Sequence, residues 1–162
     1  MRLRLALSLA LLAAIGTTGL AQVRPNFTGN WTLSEPNAGA PAGIMYLGFA
    51  FTADQNDRTL TVTPTKHEVH VGERPEQLRA VFNLDGSESK NPLNMSHAIN
   101  RISRVTFDGG RLVITTMSSG ATNNVLTQTQ TWSLDPSGDL IVESVLTNQG
   151  SSTTSRATYK KR

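Results

Sequence analysis

The sequence predicts an all-β protein, an antiparallel up-and-down meander of about ten strands. The first observation behind this prediction is a unit that recurs along the chain. In each copy an alternating strand ends in a large apolar residue, a turn led by Asp follows, and a second strand begins. The second observation is that no segment long enough for a stable helix carries helical periodicity, whereas Thr, which suits pleated sheets, is abundant.

The clearest copy of the unit is Arg104–Thr116, and the others span Phe49–Thr63, Thr131–Glu143 and, in degenerate form, Ala80–Lys90. Every second turn of an up-and-down meander lies at the same end, so the turns at Asp54, Asp85, Asp108 and Asp135 belong together. The apolar residues beside these turns should pack into one layer, which we term the apolar plug. They are Phe51, Leu60, Leu84, Phe107, Leu112, Trp132, Leu134 and Leu140.

The individual strands follow from period-2 alternation. Residues 34–43, rich in Pro and Gly, are predicted to be a loop, and residues 64–76 are a polar connection. The short polar stretch Ser87–Lys90 is a weak strand limited by Pro92. The remaining predicted strands are Asn26–Leu33, Met45–Phe51, Thr59–Thr63, Leu78–Leu84, His97–Phe107, Arg111–Ser118, Asn124–Leu134, Leu140–Thr147 and the closing Thr153–Lys160.

The inward faces change from apolar to polar with distance from the plug. From Phe107 the face continues through Val105, Ser103, Arg101 and Ile99 to His97, and from Trp132 it continues through Gln130, Gln128 and Leu126. A strongly curved open sheet would produce this change if its strand tips reached solvent. A closed barrel with a pocket at its polar end would also produce it, and alternation alone does not decide between them.

Arg101, His97, Gln128 and Gln130 are the candidate ligand-binding residues, because the alternation places all four on inward faces beyond the plug. An Arg beside a partly enclosed pocket suits an anionic or polar ligand group, since an isolated buried cation is costly. The alternative is structural, with Arg101 reaching solvent or forming an ion pair with Glu143 or Asp139.

His67, Glu68 and His70 suggest a metal site at first sight. Residues three apart on a strand point to opposite faces, and the chain has no Cys to complete a ligand set. We therefore predict solvated polar residues here, with no metal and no cofactor. Asp54, Asp57, Asp135 and Asp139 are predicted to form turns, and no nucleophile–base pair stands out.

The first 21 residues have the pattern of a secretion signal. Arg2 and Arg4 precede the apolar run Leu5–Ile15, which is too short to span a bilayer, and small residues follow at Gly19–Ala21. Residues 22–162 are then expected to form one domain, secreted or periplasmic, with no further membrane span. The alternative for the apolar run is a membrane anchor.

Charge argues against a nucleic-acid partner. The full chain carries 15 Lys and Arg against 12 Asp and Glu, and loss of Arg2 and Arg4 would leave a net charge of +1. No basic stripe with interleaved aromatic residues is present in the sequence.

The start Phe27-Thr28-Gly29-Asn30-Trp31, followed by a meander of this size, resembles the calycin group of lipocalins and fatty-acid-binding proteins, and the small secreted lipocalin-like domains of bacteria. The resemblance implies a barrel in which Trp31 closes one end and Arg156 packs across it. The alternative for Arg156 is a solvated edge charge. The Arg-x-Tyr pair of fatty-acid-binding proteins is not reproduced, because Arg156 and Tyr159 fall on opposite faces.

Three functions follow as hypotheses. The leading one, implied by the resemblance and the polar-ended interior, is non-catalytic binding of a small, partly apolar or amphipathic molecule. The second is a structural or protein-interaction module whose core is filled by its own side chains, with the weak strand around Ser87–Asn91 as a docking edge. The third is a small-molecule enzyme, which such barrels host, although no catalytic constellation supports it.

Overall fold

The structure is a computed structural model that describes residues 24–34, 47–66, 78–94, 98–119 and 125–162. The prediction of an all-β chain is confirmed over these residues. Their strands are β1 (Gly29–Leu33), β2 (Ala50–Gln55), β3 (Thr59–Lys66), β4 (Ala80–Asn83), β5 (Ser89–Lys90), β6 (Leu93–Asn94), β7 (Ala98–Asp108), β8 (Arg111–Ser119), β9 (Val125–Leu134), β10 (Leu140–Asn148) and β11 (Ser151–Lys161).

Hydrogen bonds join the strands in the order β4-β3-β2-β1-β11-β10-β9-β8-β7-β5, with β6 pairing to β7 beside this path. All of the pairings are antiparallel. The first and last strands of the chain, β1 and β11, pair with each other. The sheet curls round until its two end strands, β4 and β5, meet, and the result is a nearly closed barrel. Between the two architectures left open by the sequence, the barrel is the one observed.

The antiparallel order places the turns β2–β3, β4–β5, β7–β8 and β9–β10 at the same end, as predicted. In the last of these turns the Asp135 carboxylate accepts hydrogen bonds from the backbone N–H groups of Ser137 and Asp139, at 2.8 and 2.9 Å. Gly138, at φ 86°, takes the left-handed conformation that the turn needs. Asp85 acts similarly, and hydrogen bonds from Ser87 lower the pKa of its carboxyl group.

The first turn differs from the prediction in its chemistry. Asp54 lies within β2, and the oxygen that orders the turn belongs to Asn56, which accepts from the N–H groups of Arg58 and Thr59, both at 2.8 Å. The side-chain amide serves here as the carboxylate does in the turns at Asp85 and Asp135, because both types of oxygen accept from the backbone N–H two residues on.

The apolar plug is present at the Asp-turn end. Phe51, Leu60, Leu84, Leu112, Trp132 and Leu140 are buried, and Phe107 packs against them. Leu134 was predicted to belong to the plug, but 38% of it is exposed, because it is the last residue of β9. The plug gains Phe27, which lies before β1, and whose ring meets that of Trp132 edge-on at 5.7 Å.

Gln55 holds the segment that carries Phe27. Its side-chain oxygen accepts from the Phe27 N–H at 3.0 Å, and its side-chain nitrogen donates to the Pro25 carbonyl at 2.9 Å. The Trp31 indole N–H donates to the Phe27 carbonyl at 2.9 Å. The hydrogen bonds of Gln55 and Trp31 thus fix the segment that precedes β1.

The cation near Trp31 is not Arg156. Arg156 is exposed and lies 3.3 Å from the Glu143 carboxylate, as the edge-charge alternative for it predicted. The Lys161 ammonium instead lies 5.7 Å from the centre of the Trp31 ring. Gly29 permits this approach, because a Cβ atom there would come within 2.6 Å of the Lys161 side chain.

The seam between β4 and β5 is closed by side chains and not by a backbone ladder. The Asn91 side chain accepts from the Val81 N–H at 2.8 Å and donates to the Val81 carbonyl at 2.9 Å. Ser89 accepts from the Asn83 N–H at 2.7 Å through its hydroxyl. These bonds satisfy the free side of β4, so the barrel has no open edge at this position.

We expect Asn91→Ala to lower the free energy of unfolding by about 1–3 kcal/mol, because both polar backbone groups of Val81 lose their partner. Asn100→Ala, at an exposed position on β7, should change it by less than about 0.5 kcal/mol. Urea unfolding of the two variants checks this. Equal stabilities would mean that the Asn91 bonds do not hold the seam.

Burial raises the pKa of the Tyr159 phenol above its usual value of 10.0. The native state therefore keeps a proton that the unfolded chain releases, and the free energy of unfolding should fall as the pH rises above 10.0. Measuring the free energy of unfolding at pH values below and above 10.0 tests the prediction. Tyr159→Phe should remove this component, and Tyr46→Phe, at the other tyrosine of the chain, should retain it. Parallel profiles for wild type and Tyr159→Phe would contradict it.

Candidate functional site

A partly enclosed cavity lies in the middle of the barrel, directly beyond the apolar plug. Its volume, taken as the space open to the centres of water molecules, is about 20 Å³. Its described lining residues are Leu47, Val62, Leu78, Ala80, Phe82, Asn91, Arg101, Ser103, Thr116, Gln128, Gln130 and Trp132. The lining thus combines apolar residues from β3 and β4 with polar residues from β7, β8 and β9.

Strand register explains why the polar residues meet. Trp132 is paired with Leu112, which belongs to the plug, and with Val142, and both partners are fully buried. Two residues further from the plug, Gln130 pairs with Ile114 and Ser144. The next layers contain the pair of Gln128 with Thr116, and the pair of Ser118 with Arg101. The predicted change from apolar to polar side chains along the interior is therefore present, and the cavity lies where the polar side chains begin.

Arg101 is 4% exposed and lines the cavity. Its side-chain Nε donates to the backbone carbonyl of Asn91 at 2.8 Å, and its own carbonyl accepts from the Asn91 N–H at 3.0 Å. Glu143, a partner suggested for Arg101 from the sequence, is exposed and pairs with Arg156. Arg101 thereby connects the cavity to the residue that closes the seam.

Gln128 is held by a defined partner. Its side-chain nitrogen donates to the Ser144 hydroxyl at 3.0 Å, and both residues are buried. Beside it, the hydroxyl groups of Ser103 and Thr116 share a hydrogen bond of 2.8 Å. These polar side chains form hydrogen bonds within the protein, and Gln128, Ser103 and Thr116 form part of the cavity wall.

Gln130 and Trp132 differ from their neighbours. Among the described residues, the buried side-chain nitrogen and oxygen atoms without a partner in the protein are Gln130 Nε2 and Trp132 Nε1. Gln130 is 7% exposed and Trp132 is fully buried. Leaving a buried donor unpaired costs about 1–3 kcal/mol, so the two atoms together are an appreciable cost to stability.

Sequence reasoning identified Gln130 and assigned Trp132 to the plug alone. The signal for its second role was available only in part, because Trp132 and Gln130 are adjacent members of one inward row. The Trp132 ring packs against Phe27 and Phe51, whose ring centres lie 5.7 Å from its own, and its indole N–H has no acceptor in the protein. Their contact with Trp132 is not visible in the alternation.

His97 lies outside the described residues, as do His67, Glu68 and His70. Within the described ranges, no group of three or more His, Cys, Asp or Glu side chains is placed to hold a metal ion. The described lining of the cavity contains no His and no carboxylate. The described lining offers hydrogen-bonding groups and apolar contact.

We expect Gln130→Met to leave the free energy of unfolding unchanged or to raise it slightly, because it removes an unpaired buried amide nitrogen with little change in shape. Gln128→Met is the matched variant and should lower it by about 1–2 kcal/mol, because the buried Ser144 hydroxyl loses its partner. Thermal or urea unfolding in the absence of added ligand compares the two. A larger loss for Gln130→Met than for Gln128→Met would contradict the assignment of partners.

No protein-family model matches the chain, and no curated protein is significantly similar to it. The likeness to lipocalins therefore extends as far as the architecture, a nearly closed antiparallel barrel compatible with that fold. Over the part of the chain that the structure describes, no helix has the length and apolar character needed to cross a membrane.

Proposed function

We propose that the protein binds a small, partly apolar ligand without catalysing a reaction on it, with the polar part of the ligand seated in the mid-barrel cavity. The observation that carries this proposal is the position of the cavity at the change from apolar to polar lining. A ligand with both characters would match the two halves of that lining, apolar on β3 and β4 and polar on β7 to β9.

The size of the cavity limits what enters it. Pockets that enclose a whole drug-sized ligand measure about 300–1,000 Å³, whereas this cavity has room for about one water molecule or one small functional group. The plug blocks passage on the Trp132 side, since Trp132, Leu112 and Val142 are buried there. The remainder of the ligand would therefore lie on the side of Arg101 and Gln128.

The second candidate is a barrel with a filled core that serves as a structural or interaction module. The small cavity favours it. The docking edge suggested for it around Ser87–Asn91 is less favourable than the sequence implied, because Ser89 and Asn91 already bond to β4 through their side chains. Adding a partner strand there would require breaking these bonds.

The compartment belongs to the same proposal. The pattern of residues 1–21 supports export and removal of this segment, so that residues 22–162 would act in a periplasm or outside the cell. Residues 1–21 lie outside the described ranges.

Native mass spectrometry tests the proposed function. We expect mature protein purified without denaturation to carry a reproducible added mass that is lost on unfolding. Arg101→Ala should lose this mass, because Arg101 lines the cavity, and Arg104→Ala is the matched control, since Arg104 lies on the same strand in an exposed ion pair with Glu88.

A bare monomer from every preparation would contradict the binding proposal, and co-purification of a second protein would favour the interaction module. If Arg101→Ala lowers stability but keeps the added mass, Arg101 supports Asn91 and does not bind the ligand.

A further inference from the structure

The chain contains two tryptophans, and the barrel treats their N–H groups differently. Both indoles are buried in the same core. Trp31 Nε1 donates to the Phe27 carbonyl at 2.9 Å. Trp132 Nε1 has no partner within the protein, although Trp132 is fully buried and lines the cavity. An indole nitrogen only donates, so a group that satisfies Trp132 must accept a hydrogen bond.

Gln130 supplies the second donor of the same kind. It precedes Trp132 by two residues on β9, so both side chains face the interior, and both line the cavity. Its Nε2 also lacks a partner in the protein. The neighbouring Gln128 shows that this is not general in the barrel, because Gln128 Nε2 donates to Ser144.

We propose that the group seated in the cavity is an oxygen that accepts hydrogen bonds, the carbonyl or carboxylate oxygen of a small organic molecule, bound by Trp132 Nε1 and Gln130 Nε2. This inference rests on the proposed function and specifies the ligand's chemistry. A cationic donor such as an ammonium or amidinium group is excluded as the occupant, because it would leave both N–H groups without an acceptor.

Position and size agree with this assignment. The cavity volume of about 20 Å³ admits one functional group and not an acyl chain. Trp132 forms the floor of the cavity, and its ring packs against those of Phe27 and Phe51 at centre distances of 5.7 Å. The donor is therefore preorganised, which reduces the ordering cost of binding.

The experiment uses the two indole N–H resonances of the mature protein in a ¹H–¹⁵N spectrum, where Trp31 provides an internal control. Acetate, acetone and acetamidinium are the probes, because they have nearly the same shape but are an anionic acceptor, a neutral acceptor and a cationic donor. We expect acetate or acetone to shift the Trp132 resonance saturably while the Trp31 resonance stays fixed. Acetate alone would identify a carboxylate as the preferred group, and both would identify any carbonyl oxygen.

Two variants sharpen the test. Gln130→Met should weaken the response of the Trp132 resonance about fivefold, corresponding to the loss of one hydrogen bond. Asn100→Ala should leave the affinity within about twofold, because Asn100 is exposed on β7 and is not among the described lining residues of the cavity. Trp31→Phe and Trp132→Phe assign the two resonances.

Failure of the acceptor to shift Trp132 in the folded wild type, or an equal shift by acetamidinium, would overturn the inference. The two proposals fail separately. A ligand found by native mass spectrometry with no response to acetate or acetone leaves the binding function in place and refutes the acceptor assignment. A response to acetate or acetone in a protein that never carries an added mass supports the acceptor assignment and refutes the proposed function of carrying a ligand.

Discussion

The contact of Trp132 with Phe27 and Phe51 determines how the interior of the barrel is divided. The ring of Phe51 also lies 5.0 Å from that of Tyr159, so the aromatic contacts extend from β9 through β2 to β11. Ring pairs of this kind contribute about 0.5–1.5 kcal/mol each beyond the area that they bury. On one side of this layer the interior is a cluster of buried apolar residues, and on the other side polar side chains begin. The layer of aromatic rings thus blocks one end of the barrel interior and forms the floor of the cavity.

Closure of the barrel and the construction of the cavity share one residue. Asn91 joins β4 to the rest of the sheet through its side chain, and through its backbone it exchanges hydrogen bonds with Arg101. A buried cation on the cavity wall is thereby positioned by the same residue that satisfies the free edge of the sheet. Binding in the cavity and stability of the seam should therefore be coupled energetically, since residues that share a hydrogen-bond network do not act additively.

Alternation of residue type was sufficient to predict the antiparallel meander, the shared end of the four turns and the inward positions of Arg101, Gln128 and Gln130. These features depend on local periodicity and on strand direction, which the sequence displays directly. The seam could not be predicted, because the bonds of Asn91 to Val81 join positions that are adjacent only once the barrel has curled. The exchange of Arg156 for Lys161 near Trp31 has the same origin, since the register of β1 with β11 is a tertiary property.

A high-resolution crystal structure of the protein purified without denaturation would show what occupies the cavity, through the electron density beside Trp132 and Gln130. We expect an oxygen atom of a bound organic molecule at hydrogen-bonding distance, about 2.7–3.2 Å, from Trp132 Nε1. A Gln130 side chain that turns to satisfy the Trp132 N–H with its own oxygen, with no room left in the cavity, would contradict it. The interior would then be a filled core, and the interaction module would become the favoured function.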